Sequence, residues 1–331
     1  MRAVKLLSIP LAVPLSLLAQ AWLPPQGDGV VTVLYQNDIE RLHSFSDGRT
    51  RDRGHTTLDA VFLNTDYSLT DRLAVSVSLP YIAGKYVGAF PHLLVRGEPD
   101  TAVALDNGNY HGGVQDFRFN ARYALSRRAL KIAPFFQATI PSHDYPTLGH
   151  AAIGVDEKEY RVGVSVGRRL NPILPKAFVQ GQYAFGMSPE VAANIAPKRT
   201  YGEVQLGYLL NRHITLQGSS VLTWSNNGLD FDYNLFPNNL TGEQYLNHDR
   251  ISRAKLLDAA GTIAYQVNRS TNFFLSVGHS FYGTNGHLRY LVTTVGFTKA
   301  FSTKLSAENS SANALLQDAN KAVVCTCAQT K

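Results

Sequence analysis

Between residues 114 and 125, Phe117, Phe119, Ala121, Tyr123 and Leu125 alternate with Asp116, Arg118, Asn120 and Arg122. Successive side chains leave a strand on opposite faces, so a period of two marks a strand with one apolar and one polar face. Residues 72–82 carry the same period, with Leu73, Val75, Val77, Leu79 and Tyr81 set against Ala74, Ser76, Ser78 and Pro80. The polar face of 114–125 is too charged for a dry protein core, and it holds both signs, as a wet barrel lumen does. A chain built this way turns its apolar rows toward lipid and its polar rows toward a closed interior.

The pattern recurs and predicts about twelve strands: 30–37, 57–68, 72–82, 114–125, 130–140, 159–167, 176–186, 201–210, 214–224, 255–267, 272–282 and 288–301. Membrane-crossing strands need roughly 9–11 residues. The connections alternate between brief and longer ones, so all hairpins share one sense, as in barrels with short periplasmic turns and longer extracellular loops. Pro134 within 130–140 marks a bulge or rim position. Tyr67, Tyr81, Tyr123, Tyr160, Tyr183, Tyr208 and Tyr265 fall near the ends of apolar faces, where an aromatic girdle belongs. Composition agrees: charged residues are 17% and hydrophobic residues 44%. Past the N-terminus, however, no apolar run approaches the roughly 20 residues of a membrane helix. The expected fold is all-β, an antiparallel up-and-down transmembrane β-barrel in the outer membrane. A soluble all-β domain that packs its tyrosines inside is the competing reading. The net charge of +6 is modest and no basic cluster is interleaved with aromatics, so nucleic acid is not an expected partner.

Residues 1–21 read as a signal peptide. Arg2 and Lys5 precede the apolar stretch 6–18, which Pro10 and Pro14 interrupt, and Ala19-Gln20-Ala21 is a cleavage pattern. The barrel is expected over 22–301, and 302–331, rich in Ser, Asn and Ala, reads as a disordered periplasmic tail. Cys325 and Cys327 lie in that tail, so no disulfide frames the barrel. Two thiols alone do not make a zinc site.

Several segments resemble a family of bacterial outer-membrane barrels, the meta-pathway phenol-degradation group. They are Asp66-Tyr67-Ser68-Leu69-Thr70-Asp71-Arg72-Leu73-Ala74-Val75, Ser78-Leu79-Pro80-Tyr81, Gln115-Asp116-Phe117-Arg118 and Ile140-Pro141-Ser142-His143-Asp144-Tyr145, with a final alternating strand ending at Phe301. The resemblance covers about 24–301 and implies a barrel, an outer-membrane location and a transporter role for a small aromatic or other organic compound. The chain departs from the family in continuing to residue 331 after Phe301, and in carrying Lys299 where an apolar residue is usual.

The interior row is expected to comprise Asn64, Asp66, Asp116, Arg118, Asn120, Arg122, Lys131, Gln137, Arg161, Gln180, Gln182, Glu203, Gln205 and Asp258. Acids and bases there should pair, because unpaired charge in a narrow lumen is costly. Such a row either rigidifies a shut barrel or selects solutes, as rings of charge do in pores. Twelve strands lie between side-chain-filled eight-strand barrels and sixteen-strand water channels, which points to a narrow conduit. Eight histidines fall on expected outer loops: His43, His55, His92, His111, His143, His150, His248 and His287. Asp144 and Asp249 adjoin two of them. A converging cluster could hold a transition metal or sense pH, but loop spacing carries no ligand geometry. No metal centre and no cofactor are expected. Ser219, Ser220, His213 and the pair His279-Ser280 offer hydroxyls and imidazoles without a nucleophile motif, so the chain is not expected to be an enzyme. The leading function is passage of a small-molecule solute through a narrow charged lumen, with outer-membrane lipid as the surrounding partner. The alternatives are a closed structural or surface-interaction barrel acting through its extracellular loops, and an outer-membrane lipid hydrolase. The sequence leaves the oligomeric state open.

Overall fold

A computed structural model of the chain describes residues 21–88 and 105–304. Fourteen strands run in chain order: β1 (Asp28–Ser44), β2 (Thr50–Ser68), β3 (Leu73–Val87), β4 (His111–Val114), β5 (Phe117–Tyr123), β6 (Ser126–Arg127), β7 (Leu130–Ile140), β8 (Glu159–Leu170), β9 (Leu174–Met187), β10 (Lys198–Leu209), β11 (Ile214–Ser225), β12 (Lys255–Asn268), β13 (Thr271–Thr284) and β14 (Gly286–Ser302). Each pairs antiparallel with its neighbours, and β1 closes the ring on β14, with Val33 opposite Phe297. β4 and β5 share one wall position beside β3, and β6 is a two-residue arm on β7. The result is a closed barrel of 12 strands.

The two faces of the wall separate cleanly. On β10 the outward row Val204, Leu206 and Tyr208 is 57%, 55% and 43% exposed, while inward Glu203 and Gln205 are 7% and 1% exposed. Tyr81, Tyr123, Tyr160, Tyr183, Tyr265 and Trp224 join the exposed outer row. A ring satisfies its backbone groups internally and offers lipid an apolar exterior, so this is an outer-membrane barrel and not a soluble domain with a greasy core. Val204→Arg, in the middle of the outer row of β10, is expected to destabilise the folded barrel by about 2–4 kcal/mol. Urea unfolding in lipid vesicles reads this directly; an unchanged midpoint would move that face out of the membrane.

The twelve expected strands are all present, and several run further than their alternation suggests. Residues 38–55, expected as a polar loop, are strand apart from the turn 45–49, because β1 reaches Ser44 and β2 begins at Thr50. Above the lipid both strand faces meet water or protein, so the apolar–polar period that reveals a membrane strand disappears. β13 and β14 are joined by Asn285 alone, at φ 54, a left-handed conformation that asparagine tolerates. Loop 226–254 contains two short helices, α1 (Gly242–Leu246) and α2 (His248–Ile251). Thr241 and Gln244 form a reciprocal capping box at the start of α1. The expected signal segment up to residue 20, His92, and the tail from 305 with Cys325 and Cys327 lie outside the described residues.

Candidate functional site

The inward rows hold polar side chains of both signs. Asn64, Asp66, Asp116, Asn120, Arg122, Gln137, Gln180, Glu203 and Gln205 are buried. Arg118, Lys131, Arg161, Gln182 and Asp258 are partly buried. The structure joins many of them. Arg122 of β5 donates to the Asp66 carboxylate of β2 across the intervening β3, and both side chains are exposed to 1% or less. Gln180 donates to Gln205, which donates to Gln217 at 3.3 Å, making an amide ladder over β9, β10 and β11. Gln182 donates to Glu203 at 3.3 Å.

Nearer the outer rim, Arg289 bridges Asp38 at 3.0 Å and Asp258 at 2.8 Å, and Ser280 donates to Asp258 at 2.6 Å. On the far wall Arg161 pairs with Glu159 and lies over the Tyr201 ring, 3.6 Å from its centroid. Arg199 grips Glu157 at 2.9 Å and Glu159 at 3.0 Å. Lys131 stands apart at the short-turn end, donating to the Arg127 carbonyl.

The short-turn end is periplasmic in barrels of this sense. There residues 21–27 lead away from β1 and cross the mouth. Gly27 N donates to Ser68 O at 2.9 Å, Ser68 Oγ to Pro24 O at 2.8 Å, and Gln26 N to the Asp71 carboxylate at 3.0 Å. Trp22 then meets inward-facing Phe178 of β9 edge-on, with ring centroids 5.9 Å apart. Ala21 and Trp22 lie so close to Gly167 of β8 that a Cβ there would sit 2.6 Å from the indole. β8 and β9 are on the opposite side of the ring from β1. Residues 25–28 make a turn, with Asp28 N donating to Pro25 O at 3.0 Å, and 21–24 run on to that far wall. Ala21 is only 3% exposed and Phe178 1%.

The other end carries a folded cap. Phe45, Phe231, Leu240 and Tyr245 form an apolar core, with Leu229, Tyr233 and Phe236 packed against it. Loop 141–158 crosses toward it. Tyr145 donates to Asp116 at 2.6 Å, and Arg250 of α2 donates to Asp156 O at 2.7 Å. Burial and that hydrogen bond push the Tyr145 phenol well above its ordinary range, so it stays a donor. His150 bonds Asp106 at 3.0 Å and stacks on Tyr86 at 4.4 Å.

The fold is shared with an outer-membrane channel. The COG4313 outer membrane channel from Pseudomonas putida F1 superposes with a TM-score of 0.62 at 15% identity, covering 84% of this chain and 96% of that one. NanC porin has a TM-score of 0.47 at 8% identity, covering 82% and 99%. A TodX monoaromatic hydrocarbon channel variant has 0.42 at 10%, covering 84% and 91%. At such identities the likeness extends to the barrel alone. No family model matches the chain, and no curated protein does.

The described loop histidines do not gather in one place: His55 is exposed on β2, and His150 lies edge-on to His287 with ring centroids 5.6 Å apart. His111 is half-buried beside Asn107, and His143 sits exposed beside Ser142, with Asp144 also exposed. His43, His248, His287 and Asp249 converge beneath the cap. The hydroxyls and imidazoles weighed for catalysis do not meet. His279 faces outward against Phe281, whereas Ser280 faces inward to Asp258. His213 bonds the Gln266 carbonyl in a short turn, and Ser220 bonds the Asp258 carbonyl. Sequence reading missed Asp38 because it lies in a stretch taken for loop, and it missed Arg289 although that residue falls within the expected strand 288–301. It missed Phe178 because an aromatic ring interrupts the polar row Gln180 and Gln182, and that interruption was itself the available signal.

Proposed function

We propose that the chain is a gated outer-membrane channel for small organic solutes. The fourteen inward residues from Asn64 to Asp258 line its passage, and residues 22–27 close its periplasmic mouth. The observation that carries the reading is the polar, two-signed interior of a closed barrel whose short-turn end is crossed by the chain's own leader. Paired acids and bases along such a wall weaken the barrier for polar groups of a solute without leaving bare charge behind. The resemblance of the Asp66–Val75 unit to the phenol-degradation barrels favours small aromatic acids or phenols as cargo.

The test is solute flux. Proteoliposomes holding the folded barrel are expected to swell in small aromatic acids and phenols, and not in oligosaccharides. Complete burial of Asp66, Arg122 and Phe178 favours a second reading, a shut barrel that acts through its cap. That reading takes over if neither the full chain nor a leaderless form passes any small solute.

A further inference from the structure

His43 ends β1 beneath the cap. It is 3% exposed, and among the described residues neither of its ring nitrogens has a hydrogen-bond partner. Phe45, Phe231 and Phe236 surround it at ring distances of 5.0, 5.8 and 5.6 Å. A buried imidazole normally satisfies at least one nitrogen, so this one is set for a partner of another kind. What it faces is ligand chemistry. The His287 ring lies 4.9 Å away, edge-on. One donor atom each from His43, His248 and Asp249 fall within 4.8 Å of one another.

One supporting contact is of the kind that metal sites use. His248 Nδ1 bonds the Tyr245 carbonyl at 2.7 Å, which fixes the ring and leaves Nε2 as the ligand atom. That Nε2 is 3.4 Å from Asp249 Oδ1, and His287 Nε2 is 3.6 Å from the same oxygen. Tetrahedral bonds of about 2.0–2.2 Å hold neighbouring donors roughly 3.3–3.6 Å apart, so these spacings already fit. His43 closes the remaining gap by turning its ring, which no hydrogen bond restrains.

We propose that His43, His248, Asp249 and His287 bind one divalent transition-metal ion of the zinc type at the base of the extracellular cap. Three imidazoles and one carboxylate suit zinc, cobalt, nickel or copper, and disfavour calcium and magnesium, which take oxygen ligands. The ligands come from the end of β1, from α2 and from the start of β14. A bound ion therefore pins loop 226–254 to the barrel rim. The site stands whether or not the barrel conducts.

The experiment uses the untagged full chain, folded in detergent and stripped with a chelator, then titrated with cobalt and with zinc. One ion per chain is expected, with the visible spectrum of tetrahedral cobalt. His43→Gln and His248→Gln should each weaken binding by about tenfold or more, the scale set by lost supporting contacts at metal sites. His111→Gln and His143→Gln, outside the cluster, should bind like the parent. Heat-modifiable gel mobility reports the folded barrel for each variant. If His43→Gln does not fold, His287→Gln takes its place. The loaded protein should also resist proteolysis within 226–254 where the stripped protein is cut. Absence of a stoichiometric ion in the parent overturns the site. So does unchanged affinity in the His43 and His248 variants, or loss of binding in the His111 and His143 variants alone.

Discussion

Deleting residues 22–26 while keeping Ala19-Gln20-Ala21 is expected to raise conductance in planar bilayers, with the barrel still folded. The leader is held at its β1 end by hydrogen bonds at Pro24, Gln26 and Gly27, whose carbonyl also accepts from Thr303. At its far end the aromatic contact of Trp22 with Phe178 holds it, together with close packing on Gly167. None of these contacts belongs to the barrel ladder, so the strap can leave without opening the wall. The anchoring is moderate, as a gate requires. An edge-on aromatic pair adds about 0.5–1.5 kcal/mol beyond its buried area, so Trp22→Ala alone should raise the open population roughly two- to tenfold. Phe178→Ala removes the same contact from the wall and leaves the cleavage region untouched. It should reproduce the Trp22 effect in single-channel open probability. Identical conductance in the full chain, the deletion and both point variants would mean that the leader does not gate.

The barrel was legible wherever a strand crosses lipid, because one face must then be apolar and the other polar. Residues 130–140 and β7 coincide end to end, and 214–224 falls one residue short of β11. Legibility failed above the membrane. Leu42–Ser44 pair with Thr50–Asp52, yet above the lipid neither face of a strand has to be apolar, so no period survives. Individual interior residues followed from parity alone, but their partners did not. Asp66 lies opposite Ser76, and Ser76 opposite Asn120, so the Asp66–Arg122 contact runs diagonally over a third strand. Nothing in either segment announces that register. The histidine cluster is further from view. His43 and His287 become neighbours only because the ring closes β1 on β14, and His248 arrives on a helix inside a loop. Ring closure is a property of the whole chain, and spacing within one loop carries no trace of it.

Arg122→Met is expected to destabilise the folded barrel by about 3–5 kcal/mol, because it leaves the Asp66 carboxylate buried without its counter-charge. The size follows from location. At the outer rim, Arg41 and Asp52 are 46% and 58% exposed and bond at 3.4 Å, and water can replace either partner. Such pairs contribute roughly 0–1 kcal/mol. Arg122 and Asp66 are 0% and 1% exposed, near the periplasmic turns, where Ser68 and Ala74 are also fully buried. Water cannot take over there while the leader covers the mouth. The double variant Asp66→Asn with Arg122→Met should recover much of the loss, since a neutral amide has no charge to compensate. The difference between single and double variants, read as urea midpoints in vesicles, measures the pair rather than the packing of one long side chain. The leader supplies the second axis of the test. If its cover is what makes the pair dry, deleting 22–26 should shrink the Arg122→Met penalty toward the value of an exposed pair. A penalty of equal size with and without the leader would place the dryness in the wall itself, and the strap would then be a passenger rather than a seal.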